Sequence, residues 1–111
     1  MSLVTETWTD VCAASLLQPE RGVAALVGGE QVAIFLVDDD VYALGNIEPD
    51  SGAAVLSRGI VGSIGERLTV ASPVYKQRYD LRTGECVDDD ALAVPVWPAR
   101  LRDGRVEVGT P

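Results

Sequence analysis

A chain of 111 residues holds one compact core and leaves no room for a second domain with its own site, so a single domain over residues 1–111 is expected. Seventeen acidic against nine basic residues give a net charge of −8, which disfavours nucleic acid as a partner, and no apolar run approaches the about 20 residues that a membrane-spanning helix requires. Histidine is absent, which removes the usual neutral-pH general base and the commonest metal ligand, so catalysis by this chain alone is not expected.

Met1 to Glu6 carries no basic region followed by an apolar stretch; no secretory signal is read there, and a cytoplasmic location is expected. A helical turn is predicted over residues 11–17, closed by Pro19. Residues 22–27 read as a strand, Gly28-Gly29 as a tight turn and residues 31–37 as the returning strand. That strand places Val32, Ile34 and Leu36 on one face and Ala33, Phe35 and Val37 on the other, so apolar neighbours are expected on both sides. Asp38-Asp39-Asp40 turns the chain into Val41-Tyr42-Ala43-Leu44, completing a three-strand meander.

Regular alternation breaks from Gly45 to Arg67, where five glycines and Pro49 mark a long irregular connection of the kind that often carries function. Strand character returns at Leu68 to Ala71 and, after Ser72-Pro73, over residues 74–81, ending in the turn Arg82-Thr83-Gly84-Glu85. Asp88-Asp89-Asp90 makes a further acidic turn before residues 93–101, and Asp103-Gly104 closes a last hairpin with residues 105–108. The Asp runs read as solvated turns, because a calcium loop needs spaced acidic ligands and a closing Glu. Cys12 and Cys86 stand alone and read as two buried free thiols. Trp8 and Trp97 read as packing residues. Short strands and many turns predict an all-β fold, a small antiparallel β sandwich or barrel.

Two segments carry a resemblance. Ser72-Pro73-Val74-Tyr75-Lys76-Gln77-Arg78-Tyr79-Asp80-Leu81-Arg82-Thr83-Gly84 resembles the second cluster-binding segment of Rieske domains, and Glu48-Pro49-Asp50-Ser51-Gly52-Ala53 resembles the first. Glu48 and Asp50 stand where that family has Cys and His, as do Ser72 and Tyr75. Carboxylates and hydroxyls do not reproduce the thiolate and imidazole field of a two-iron cluster, so no cofactor and no metal is expected in this chain. Tyr75 is expected to fill the cluster volume and to direct its hydroxyl at Glu48 or Asp50. Asp80 is expected to cap the turn after it.

With Ser57-Arg58-Gly59-Ile60-Val61-Gly62, these motifs make the chain similar, from about residue 23 to 108, to the cluster-free Rieske-like small subunits of assimilatory NAD(P)H-dependent nitrite reductases. The resemblance implies a non-catalytic role beside a large subunit that carries FAD, siroheme and a 4Fe-4S cluster and reduces nitrite to ammonia with six electrons. It also marks the two ligand loops and residues 54–66 as a docking surface, with Arg58, Gly59, Tyr75 and Lys76 as interface candidates. A free-standing regulatory or scaffold module is the alternative, and a degraded oxygenase ferredoxin a third reading.

Overall fold

A computed structural model of the protein describes residues 7–109; the reading made of Met1 to Glu6 lies outside them. Three antiparallel sheets form here. The first orders β1 (Trp8–Ala13), β10 (Arg105–Gly109) and β9 (Ala99–Arg102). The second orders β2 (Val23–Val27), β3 (Glu30–Val37), β4 (Asp40–Gly45) and β8 (Val96–Trp97), and the third β5 (Ile60–Ile64), β6 (Arg67–Ala71) and β7 (Arg78–Asp80). No helix of the described residues is long and apolar enough to cross a membrane.

The expected meander is β2–β3–β4. Gly28 and Gly29 take left-handed φ of 59° and 83°, the conformation that matches a two-residue turn to strand twist, and Asp38 does the same at 55°. Strict alternation along β3 divides the core. Ala33, Phe35 and Val37 face a cluster with Leu44, Leu56, Val70, Tyr79 and Leu81, between the second and third sheets. Val32 and Ile34 face Val41, Ala43, Val106 and Val108, between the second and first. Four consecutive residues, Val32 to Phe35, are wholly inaccessible, the signature of a strand covered on both faces.

Four sequence expectations are corrected. The helical turn over residues 11–17 survives only as a 3-10 turn, Ala14–Leu16; Trp8–Ala13 is strand, paired with β10 from Trp8↔Gly109 to Ala13↔Arg105. A bulge between Asp10 and Cys12 breaks the two-residue period and sets Val11, Cys12 and Ala14 on one core cluster, which imitates helical spacing. The long connection is not irregular throughout: Ile60–Ile64 pairs fully with Arg67–Ala71 around a Gly65 turn. Residues 74–77 form a turn, and strand resumes only at Arg78. Cys86 is buried as expected, whereas Cys12 is only half-buried, and desolvation still pushes its thiol up. Trp8 packs under the Arg100 guanidinium, 3.9 Å from the ring centroid, and Trp97 against the second core cluster, both as expected.

Candidate functional site: two emptied ligand loops

Two loops share one hydrogen-bond skeleton. In the first, Glu48 N donates to Ala53 O (2.8 Å), Gly52 N returns to Glu48 O (2.7 Å), and Ser51 N donates to Glu48 Oε1 (2.5 Å). In the second, Ser72 N donates to Gln77 O (2.8 Å), Lys76 N returns to Ser72 O (2.9 Å), and Val74 N donates to Ser72 Oγ (3.2 Å). Glu48 and Ser72, which the resemblance sets at the Rieske thiolate positions, each thus tie their own loop shut, through main chain and side chain together. Lys76 closes the second turn with φ of 62°, a conformation that costs a non-glycine residue energy unless the surroundings hold it.

Both loops spring from the core cluster between the second and third sheets, which contains Leu44 and Leu56 from the ends of the first and Val70 and Tyr79 from the ends of the second. Asn46 latches the first loop at its base. It is buried, its amide donates to Gln31 O, its carbonyl accepts from Leu56 N, and its Oδ1 accepts from Ser57 N at 2.7 Å. No sequence signal marked Asn46; only its partner eleven residues on reveals the role.

The four positions that the resemblance sets at the Rieske ligands divide by depth. Glu48 and Ser72 are buried, at 0% and 1% exposure, while Asp50 and Tyr75 lie in solvent, Tyr75 at 57%. The expectation for Tyr75 is therefore corrected: the left-handed turn at Lys76 carries its ring outward, and Tyr79 on β7, with no exposed surface, fills the interior beneath the loops. Burial first, and then the negative charge of Glu48, push the Tyr79 phenol well above its ordinary range. The donor set does not fit a two-iron cluster. It offers four oxygen-bearing side chains, two of them out in solvent, and the two thiols pack on different core clusters, Cys86 on one face of β3 and Cys12 on the other.

Arg58 is exposed, makes no ion pair among the described residues, and lines a concavity of about 440 Å³ with Glu20, Arg21 and the outward Ile60. Gly59 has a structural duty: a Cβ there would lie 2.4 Å from Ala71 O and 2.6 Å from Val70 Cγ2. This close approach sets Arg58 at the foot of the second loop. Asp80 caps its turn as expected, accepting from Arg82 N (2.7 Å) and Thr83 N (3.1 Å).

Comparison with known proteins places this geometry. The family model described as Rieske-like [2Fe-2S] domain matches residues 7–109. The small subunit of NADH nitrite reductase from Escherichia coli (strain K12) is 44% identical over 103 residues, covering 91% of this chain and 95% of that protein. The crystal structure of an NADH-dependent nitrite reductase small subunit from Mycobacterium tuberculosis is similar at 49% identity with a TM-score of 0.92, covering 96% of this chain and 97% of that one. The NAD(P)H nitrite reductase large subunit of Klebsiella oxytoca is 42% identical over 108 residues; these are 97% of this chain, which spans only 11% of that protein's length.

Proposed function

The chain belongs to the Rieske-like [2Fe-2S] domain family and, within it, to the nitrite reductase (NADH) small subunits, and we propose that its two emptied ligand loops dock it onto the large subunit of that oxidoreductase. One observation carries the reading. The same stretch is a separate small subunit in one relative and part of the large-subunit polypeptide in another, so evolution has kept it beside the same body by covalent and by noncovalent means.

The division of labour follows from the residues. Nitrite must receive six electrons to become ammonia, and this chain offers no thiolate or imidazole set to hold a redox centre and no histidine to move protons. FAD, siroheme and a 4Fe-4S cluster belong to the partner, and the complex works in the cytoplasm. Tyr75, Lys76 and Arg58 supply the contact surface, an exposed ring and two uncommitted cations, while Gly59 shapes it from behind.

The reading is tested by co-expressing the chain with its large subunit and following co-elution and nitrite-dependent NAD(P)H oxidation. Co-elution, and its loss in an Arg58→Ala, Tyr75→Ala, Lys76→Ala triple variant that remains folded, is expected. A chain that elutes alone and leaves turnover unchanged would instead mark a free-standing module.

A further inference from the structure

β5 forms one edge of the third sheet, and its sequence, Ile60-Val61-Gly62-Ser63-Ile64, contains no charge and no proline. Its pairing with β6 runs without a bulge from Ile60↔Ala71 to Ile64↔Arg67, closed by the two-residue turn Gly65-Glu66. In such a hairpin the closing pair exchanges both backbone bonds. The ladder therefore takes Ile64, Gly62 and Ile60 inward to β6 and turns the amides and carbonyls of Ser63 and Val61 to the open edge. The Leu68 carbonyl, on the residue opposite Ser63, agrees: it accepts from Leu81 N, on the far side of β6. Among the described residues no backbone group meets Val61 or Ser63 from outside.

An open apolar edge invites another strand, and proteins ordinarily blunt one with charge, proline or a bulge. The outer strands of the first sheet are blunted: β1 carries a bulge and Asp10, and β9 carries Arg100 and Arg102. β2 lies against β1 and the 3-10 turn Leu56–Arg58. β5 carries neither charge nor bulge, and it turns Ile60 and Ile64 outward, at 77% and 37% exposure, while Val61 packs on the core.

Resting on the docking reading above, we propose that β5 takes up an extended segment of the large subunit as a fourth strand of the third sheet. The segment's amides and carbonyls pair with those of Val61 and Ser63, and its apolar side chains at alternate positions lie beside Ile60 and Ile64. Charge sets the direction. Ile60 and Val61 line the same concavity as Arg21 and Arg58, which have no ion pair among the described residues, so a carboxylate of the segment belongs at that end. Exposed Glu66, in the turn, repels one at the other end. A second copy of this chain is the poorer occupant, because each copy would bring a net charge of −8 against the other.

Residue-resolved amide exchange on the chain, free and in complex with the large subunit, tests the pairing. The Val61 and Ser63 amides are expected to slow by about tenfold or more on binding, while Gly62, already bonded to β6, changes little. Capture that leaves Val61 and Ser63 as fast as in the free chain overturns strand addition and lets docking through the loops stand; absence of capture removes both. Slowing of the two amides in the free chain as its concentration rises, with a dimer in sedimentation, makes a second copy the occupant and also overturns the proposal. Ser63→Pro removes the outward donor without touching a bond to β6. It is expected to weaken capture by about tenfold or more, with Ser63→Ala close to the parent. Equal capture by the two folded variants would mean that no strand is added at β5.

Discussion

Asp80 holds together the turn that follows β7 with a single carboxylate. Its Oδ1 accepts the Arg82 and Thr83 amides and its Oδ2 accepts Arg67 Nε at 2.8 Å. Burial alone would raise its pKa, but the guanidinium and the two amides outweigh burial and hold the carboxyl below its ordinary value. A group depressed in the folded state contributes stability that is complete above the unfolded value of about 4 and is lost as pH falls through the folded one. Asp80→Asn is therefore expected to lose about 1.5–3 kcal/mol at pH 7, with the gap from the parent chain closing below about pH 4. Urea titrations of both chains across that range measure it, and a gap that persists unchanged at pH 3 contradicts the account. Tyr75 makes the opposite case. With its ring in solvent, Tyr75→Ser should shift stability by no more than about 0.5 kcal/mol while weakening capture of the large subunit, read from paired melts and pull-downs.

The segment from the first loop to β5 owes its course to two close approaches rather than to apolar pattern. Gly22 would place a Cβ 2.2 Å from Ser57 O, and Gly59 would place one 2.4 Å from Ala71 O. Gly59→Ala should accordingly cost about 1–3 kcal/mol by overpacking, seen as a lower urea midpoint at unchanged slope. An unchanged midpoint would return Gly59 to the contact surface. These contacts also explain what the sequence could tell. The meander was legible because β3 carries an unbroken apolar run, Val32 to Val37, between turns that use left-handed Gly and Asp, as does the final hairpin at Asp103 and Gly104, with φ of 52° and 76°. β5 was not, because only Val61 of its five residues is even half-buried and alternation has nothing to follow. Val74 and Tyr75 read as strand because they are apolar, yet both face solvent. At the site, loss of the ligands was plain from residue identity. Which tyrosine goes inside was not, since that depends on the backbone turn at Lys76.

At the scale of the molecule, charge decides where a partner can approach. Of nine cationic side chains, Arg67, Arg78, Arg100, Arg102 and Arg105 each lie within 4.0 Å of a carboxylate. Arg21, Arg58, Lys76 and Arg82 have no such neighbour among the described residues, and Arg21 and Arg58 share one concavity whose Gly59 abuts Ala71, the residue before the loop that bears Lys76. A surface of net charge −8 repels an acidic partner except where these uncommitted cations cluster, so they should guide the encounter more than they add to final affinity. Arg58→Glu with Lys76→Glu is therefore expected to slow association with the large subunit by about tenfold or more at low ionic strength. The deficit should shrink as added salt shortens the screening length, because both groups are exposed. Arg102→Glu with Arg105→Glu, an equal charge change on the first sheet, should leave the rate close to that of the parent. Stopped-flow or biosensor rates across a salt series separate the cases: an equal slowing by the first-sheet pair would show that net charge alone matters and that the loops hold no privileged place in docking.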